Sequence, residues 1–103
     1  MRRTIAVDFD GTLCRAAWPN IGAPRWEIIN AVKREAAQGS AIILWTCRTG
    51  ALLHNAVLAA MSWGIRFDAV NANLPEHIAA FRGDSRKIYA DEYWDDQAVR
   101  IPK

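Results

Sequence analysis

Cysteine is scarce in this chain: Cys14 and Cys47 are the only two and lack C-x-x-C spacing, which argues for two reduced thiols and against a disulfide scaffold. Proline and glycine are also few, four and six in 103 residues, so collagen-like and low-complexity classes fall away. No stretch approaches the roughly 18 apolar residues of a spanning helix. The Met-Arg-Arg start is followed by no apolar signal segment or cleavage site. A cytoplasmic protein with no membrane partner is the expectation. An excess of one charge is missing as well: 13 Lys and Arg stand against 11 Asp and Glu, leaving +2, and the basic residues are scattered. Bulk electrostatics therefore makes no case for nucleic acid or membrane. The two histidines and two cysteines form no zinc spacing, neither cysteine has an arginine six residues on, and there is no P-loop.

What is present is a composition of 51% hydrophobic and 23% charged residues, that of a folded protein. The length suits one domain over residues 1–103, enough for a core and too short for two. Residues 4–8 form an apolar, β-branched run that stops at acids and Gly11, predicting a buried strand. Residues 13–24 are irregular, with turn chemistry at Trp18-Pro19-Asn20 and Gly22-Ala23-Pro24. A helix carrying Ile28, Ile29, Val32 and Ala36 then runs to Gly39. Residues 41–45 repeat the strand pattern, and a second helix places Leu52, Leu53, Val57, Leu58 and Met61 on one side before Gly64. A third strand is expected over 65–70, a short helix from Pro75 to Phe81, and a final strand over 88–94. This alternation predicts an α/β fold: a three-layer, Rossmann-like core with a small parallel sheet flanked by helices.

In such sheets ligands lie beyond the carboxyl ends of the strands. There the sequence places Asp8-Phe9-Asp10-Gly11-Thr12 after strand one, Thr46 after strand two, and Asp95-Asp96 after the last strand, with Lys87 shortly before it. Four carboxylates from distant segments would meet at one edge, and like charges that close repel unless protonated or bridged by a cation. Oxygen ligands favour a hard ion, and Mg²⁺ suits a site that leaves room for water and phosphate. Two-residue spacing lets Asp8 and Asp10 face one substrate while Phe9 points away. Gly11 lets the backbone turn and approach an anion. The plainer alternative is that Asp-x-Asp-Gly-Thr is only a strand-to-turn exit. Arg48-Thr49-Gly50 leads into a helix whose free N–H groups face the same edge; Thr49 is expected to cap it, leaving Thr46 for a ligand. Lys87 reads either as a solvated lysine or as a neutraliser of bound phosphate.

These residues resemble the haloacid dehalogenase superfamily of phosphohydrolases. Asp8-Phe9-Asp10-Gly11-Thr12-Leu13 looks like its first motif, Thr46 its second, Lys87 its third and Asp95-Asp96 its fourth, in order over residues 8–96. Neither inter-motif gap holds a cap domain, and Ser85-Arg86-Lys87 is similar to a segment of very small capless members. The resemblance implies that Asp8 forms an aspartyl-phosphate while Asp10 protonates the leaving group and then activates water. It implies Mg²⁺ held by Asp8, the Asp10 carbonyl and the Asp95-Asp96 pair, of which either member contacts the ion directly and Asp96 does so itself or through water, with Thr46 and Lys87 gripping the transferring group. Gly11, Thr12, Cys47 and Arg48 are the candidate substrate-binding positions. Asp91, a rival fourth-motif acid, falls too early to reach the site.

The expected substrate is a phosphorylated small molecule or a phosphorylated nucleic-acid end. Little in the sequence covers the last strand, so a homo-oligomer or a longer tail is plausible. A receiver-like phospho-aspartate signalling domain uses similar residues but in the reverse order, and an idle binding module would leave the acid set without a use. Trp45, Trp63 and Trp94 are expected in the core, whereas Trp18 and Trp26 are candidates for a substrate or dimer surface.

Overall fold

The computed structural model describes residues 2–103. Four strands, β1 (Thr4–Val7), β2 (Ala41–Leu44), β3 (Ala69–Val70) and β4 (Glu92–Trp94), alternate with three helices, α1 (Trp26–Ala37), α2 (Gly50–Ser62) and α3 (Pro75–Phe81). All strand pairs are parallel, in the order β3-β2-β1-β4, with Val7 level with Leu44 on one side and Trp94 on the other. The chain thus adds β2 and β3 to one side of β1, then returns to add β4 to the other.

That reversal explains the layers. Crossovers of one hand that run in opposite directions must pass over opposite faces of the sheet. Strand alternation accordingly divides the core in two. Ile5, Val7, Ile42 and Leu44 pack under α1 and α2 with Ile29, Val32, Ala56 and Ala60. Ala6, Ala41 and Ile43 point the other way, toward Leu74, Ile88 and Ala90. With both faces covered, β1 and β2 are buried at every residue, as their unbroken apolar runs predict. Among the described residues, no helix is long and apolar enough to cross a membrane.

Two strands are shorter than their sequence patterns suggest. Over 65–70 only Ala69–Val70 pairs, because Ile65 N–H is spent on the Ala60 carbonyl at the end of α2. Asp68 does the work of the missing ladder: its amide donates to Ile42 O and its carboxylate accepts from Ile42 N–H at 2.8 Å. Over 88–94 only Glu92–Trp94 enters the sheet. Ile88 and Ala90 instead lie across its face, and Tyr89 N–H donates to the Asn73 side chain at 2.7 Å. Trp45 is another correction. It lies past the end of β2, 36% exposed, with its ring 5.4 Å from Tyr93 rather than in the core. Trp63 does pack, stacked on Phe9 at 5.9 Å, and Trp94 is partly buried against the larger core.

Candidate active site

The strand order reverses between β1 and β4, the crossover that leaves β1 and the one that enters β4 lying on opposite faces, and a crevice outside the carboxyl ends is the natural ligand position at such a switch point. Asp8 follows β1 and Asp95-Asp96 follow β4. The amide of Asp8 donates to Trp94 O at 2.9 Å, extending the ladder one residue and holding these ends side by side. One carboxylate oxygen from each of Asp8, Asp95 and Asp96 lies within 4.8 Å of the other two. Burial, more than anything else, pushes the Asp8 carboxyl up to about 6; the charges of Asp95, Asp10 and Asp96 push the same way, against a hydrogen bond from the Phe9 backbone. Three converging carboxylates, one of them raised by burial and by its acidic neighbours, are the donor set a hard cation takes.

The turn after β1 is shaped around this cluster. Gly11 has φ +83°, and a Cβ there would overlap the Asp96 carboxylate. Glycine is therefore required twice over, by backbone conformation and by close approach. Thr12 is buried, and its hydroxyl accepts the Asp96 N–H at 3.2 Å. Arg25 donates to the Gly11 carbonyl at 2.7 Å, a contact that sequence spacing does not reveal. Thr12 and Arg25, together with Ile28, Trp94, Asp95 and Asp96, line a surface cavity of about 340 Å³ beside the acids.

Asp10 departs from the expected set of four carboxylates. Phe9 is buried in the core, as alternation predicts, but the Asp10 side chain turns to Arg48 instead of joining the triad. Arg48 donates from Nε to one oxygen at 2.8 Å and from Nη2 to the other at 2.7 Å. The paired guanidinium neutralises Asp10, so this acid needs no bridging cation. Arg48 itself, expected to bind substrate, is only 2% exposed. Thr12 likewise uses its hydroxyl oxygen as an acceptor within the chain.

Thr46 is half-buried beyond β2. Its amide donates to the Asn71 side chain at 2.8 Å and its hydroxyl accepts Arg48 N–H at 3.2 Å. Thr49 occupies the cap position of α2, but its hydroxyl makes no capping bond, contrary to expectation, so among the described residues the first amides of that helix have no side-chain cap. Cys47 is exposed. Lys87 is exposed too, and among the described residues no hydrogen bond or ion pair joins its ammonium to the acids. Asp91 lies at the other end of the sheet, its carboxylate accepting Thr4 N–H at 2.7 Å, away from the acidic cluster.

The fold and cluster define a small α/β domain with a four-stranded parallel sheet and an acidic triad able to hold a metal ion at its switch point. No protein-family model and no curated protein matches the chain. Among solved structures it is similar to a conserved protein from Bacteroides thetaiotaomicron, with 36% identity and a TM-score of 0.84 over all of this chain and 84% of that one. At that identity and coverage the chain belongs to the family of that protein.

Proposed function

We propose that this protein is a Mg²⁺-dependent phosphomonoesterase of the small, capless haloacid dehalogenase type, working through an aspartyl-phosphate on Asp8. The observation that carries this reading is the convergence of Asp8, Asp95 and Asp96 at the β1/β4 switch point, with Asp10 two residues from the nucleophile. The three carboxylates and the Asp10 carbonyl would hold the ion, which supplies positive charge that keeps Asp8 ionised and offsets the charge of the phosphoryl group. Asp8 attacks phosphorus while Asp10 protonates the departing oxygen. Asp10 then takes a proton from the water that attacks the phospho-aspartate, releasing inorganic phosphate and restoring Asp8. Thr46 and the open amides of α2 offer donors to the phosphoryl oxygens, and the exposed Lys87 would supply a further positive charge to them.

The substrate is a phosphorylated metabolite or nucleic-acid end, met in the cytoplasm, and the protein works as a homo-oligomer or alone. Hydrolysis of an aryl phosphate with and without Mg²⁺ tests the reading. The expected result is turnover that needs Mg²⁺ and disappears in Asp8→Asn; an undiminished rate in that variant sinks the assignment. A receiver domain would instead accumulate phospho-aspartate from a small phosphodonor and lose it slowly.

A further inference from the structure

Arg48 makes more contacts than a charge partner needs. Besides both oxygens of Asp10, its guanidinium donates to Pro19 O at 3.1 Å and Asn20 O at 3.0 Å, and its carbon lies 5.2 Å from the centre of the Phe9 ring. A guanidinium has five N–H groups, and these bonds, to a buried side chain, consume nearly all of them. Little is left for a phosphoryl group. Asp10 is differently placed: its side chain is 22% exposed, and each oxygen that accepts from Arg48 retains a second lone pair. The bidentate contact selects one orientation of the carboxylate, while the Pro19 and Asn20 carbonyls anchor the guanidinium itself.

We propose, resting on the phosphatase reading above, that Arg48 is the positioning residue for Asp10 and does not touch substrate. It holds the carboxylate where it accepts the proton of the hydrolytic water. In that step the water oxygen bonds to phosphorus, the bond from phosphorus to the Asp8 oxygen breaks with its electron pair returning to Asp8, and the proton passes to Asp10. In the next cycle the same proton goes to the departing ester oxygen. A lysine at position 48 keeps the charge but lacks the fork that sets orientation.

Rapid-quench kinetics on 4-nitrophenyl phosphate with Mg²⁺ separate the two halves, because nitrophenolate leaves with little help from an acid. Arg48→Lys and Arg48→Gln are expected to show a burst of nitrophenol followed by steady turnover about a hundredfold below wild type, with KM lowered along with kcat because the phospho-enzyme accumulates. The double variant Asp10→Asn/Arg48→Lys is expected to be no slower than Asp10→Asn alone. A raised KM with normal kcat, or losses that multiply in the double variant, overturns the positioning role while leaving the phosphatase reading intact. If Arg48→Gln does not fold, the lysine variant, which preserves charge and most of the volume, carries the comparison. A wild-type protein with no Mg²⁺-dependent turnover overturns both readings.

Discussion

The two ends of the sheet handle charge in opposite ways. At the amino end, Arg2 pairs with Glu76 at 3.0 Å and Asp68 at 3.5 Å, and Arg3 with Glu92 at 2.8 Å and Glu35 at 3.3 Å. Asp91 accepts from Thr4 N–H and the Tyr89 hydroxyl. Each acid there has a donor. At the carboxyl end, Asp8, Asp95 and Asp96 stand together with no ion pair among the described residues, and only Asp10 has its cation. A fold gains nothing from grouped carboxylates unless something else compensates them, so the contrast separates charges that join segments from charges left able to hold a cation.

The sharpest way to break the contrast is to remove the proposed nucleophile. Asp8→Asn is expected to reduce Mg²⁺-dependent phosphatase turnover by about ten-thousandfold or more while the circular dichroism spectrum stays that of the wild type. Next in size is the one compensated acid of that end. Asp10→Asn leaves the buried Arg48 charge without its partner and should cost about 3 kcal/mol in urea unfolding. Gly11→Ala forces a side chain into a left-handed turn and against Asp96, so a loss of about 1 kcal/mol is expected together with weaker Mg²⁺ binding in calorimetry.

A further effect is electrostatic and depends on pH. The Asp8 carboxyl titrates at about 6 when folded against 3.8 for an unperturbed group, so the folded state holds its proton more tightly. The stability this contributes is complete below pH 3.8 and is lost as pH rises through about 6. Metal-free melting temperatures should therefore carry a component that falls across that window, absent in Asp8→Asn and abolished by saturating Mg²⁺. At the amino end, Arg2→Ala is expected to leave turnover unchanged and barely to move the melting temperature, since its pairs are exposed.

Much of this architecture is legible in the residues. Continuous apolar runs ending in Asp8 and Trp45 mark parallel strands, because a strand covered on both faces has no polar alternation. Pro75 and Phe81 bound α3 as the helix signals suggest. The short strands were hidden for a different reason: Ile65 and Ile88 are apolar in any structure, and only the third dimension assigns one to a helix end and the other to a sheet face. At the site, spacing from the strand ends locates Asp8, Asp95 and Asp96. It says nothing of side-chain partners, so Arg48 as the clamp on Asp10 and Thr12 as the tether of Asp96 emerge only from contacts 38 and 84 residues apart.

Calorimetric titration of Mg²⁺ at neutral pH into the wild-type protein and into Asp8→Asn/Asp95→Asn probes the cluster most directly. Saturable binding of a single ion by the wild type, lost in the double variant, is the expected result. Equal binding by the two proteins, or none by either, would mean that these acids gather for some purpose other than a cation.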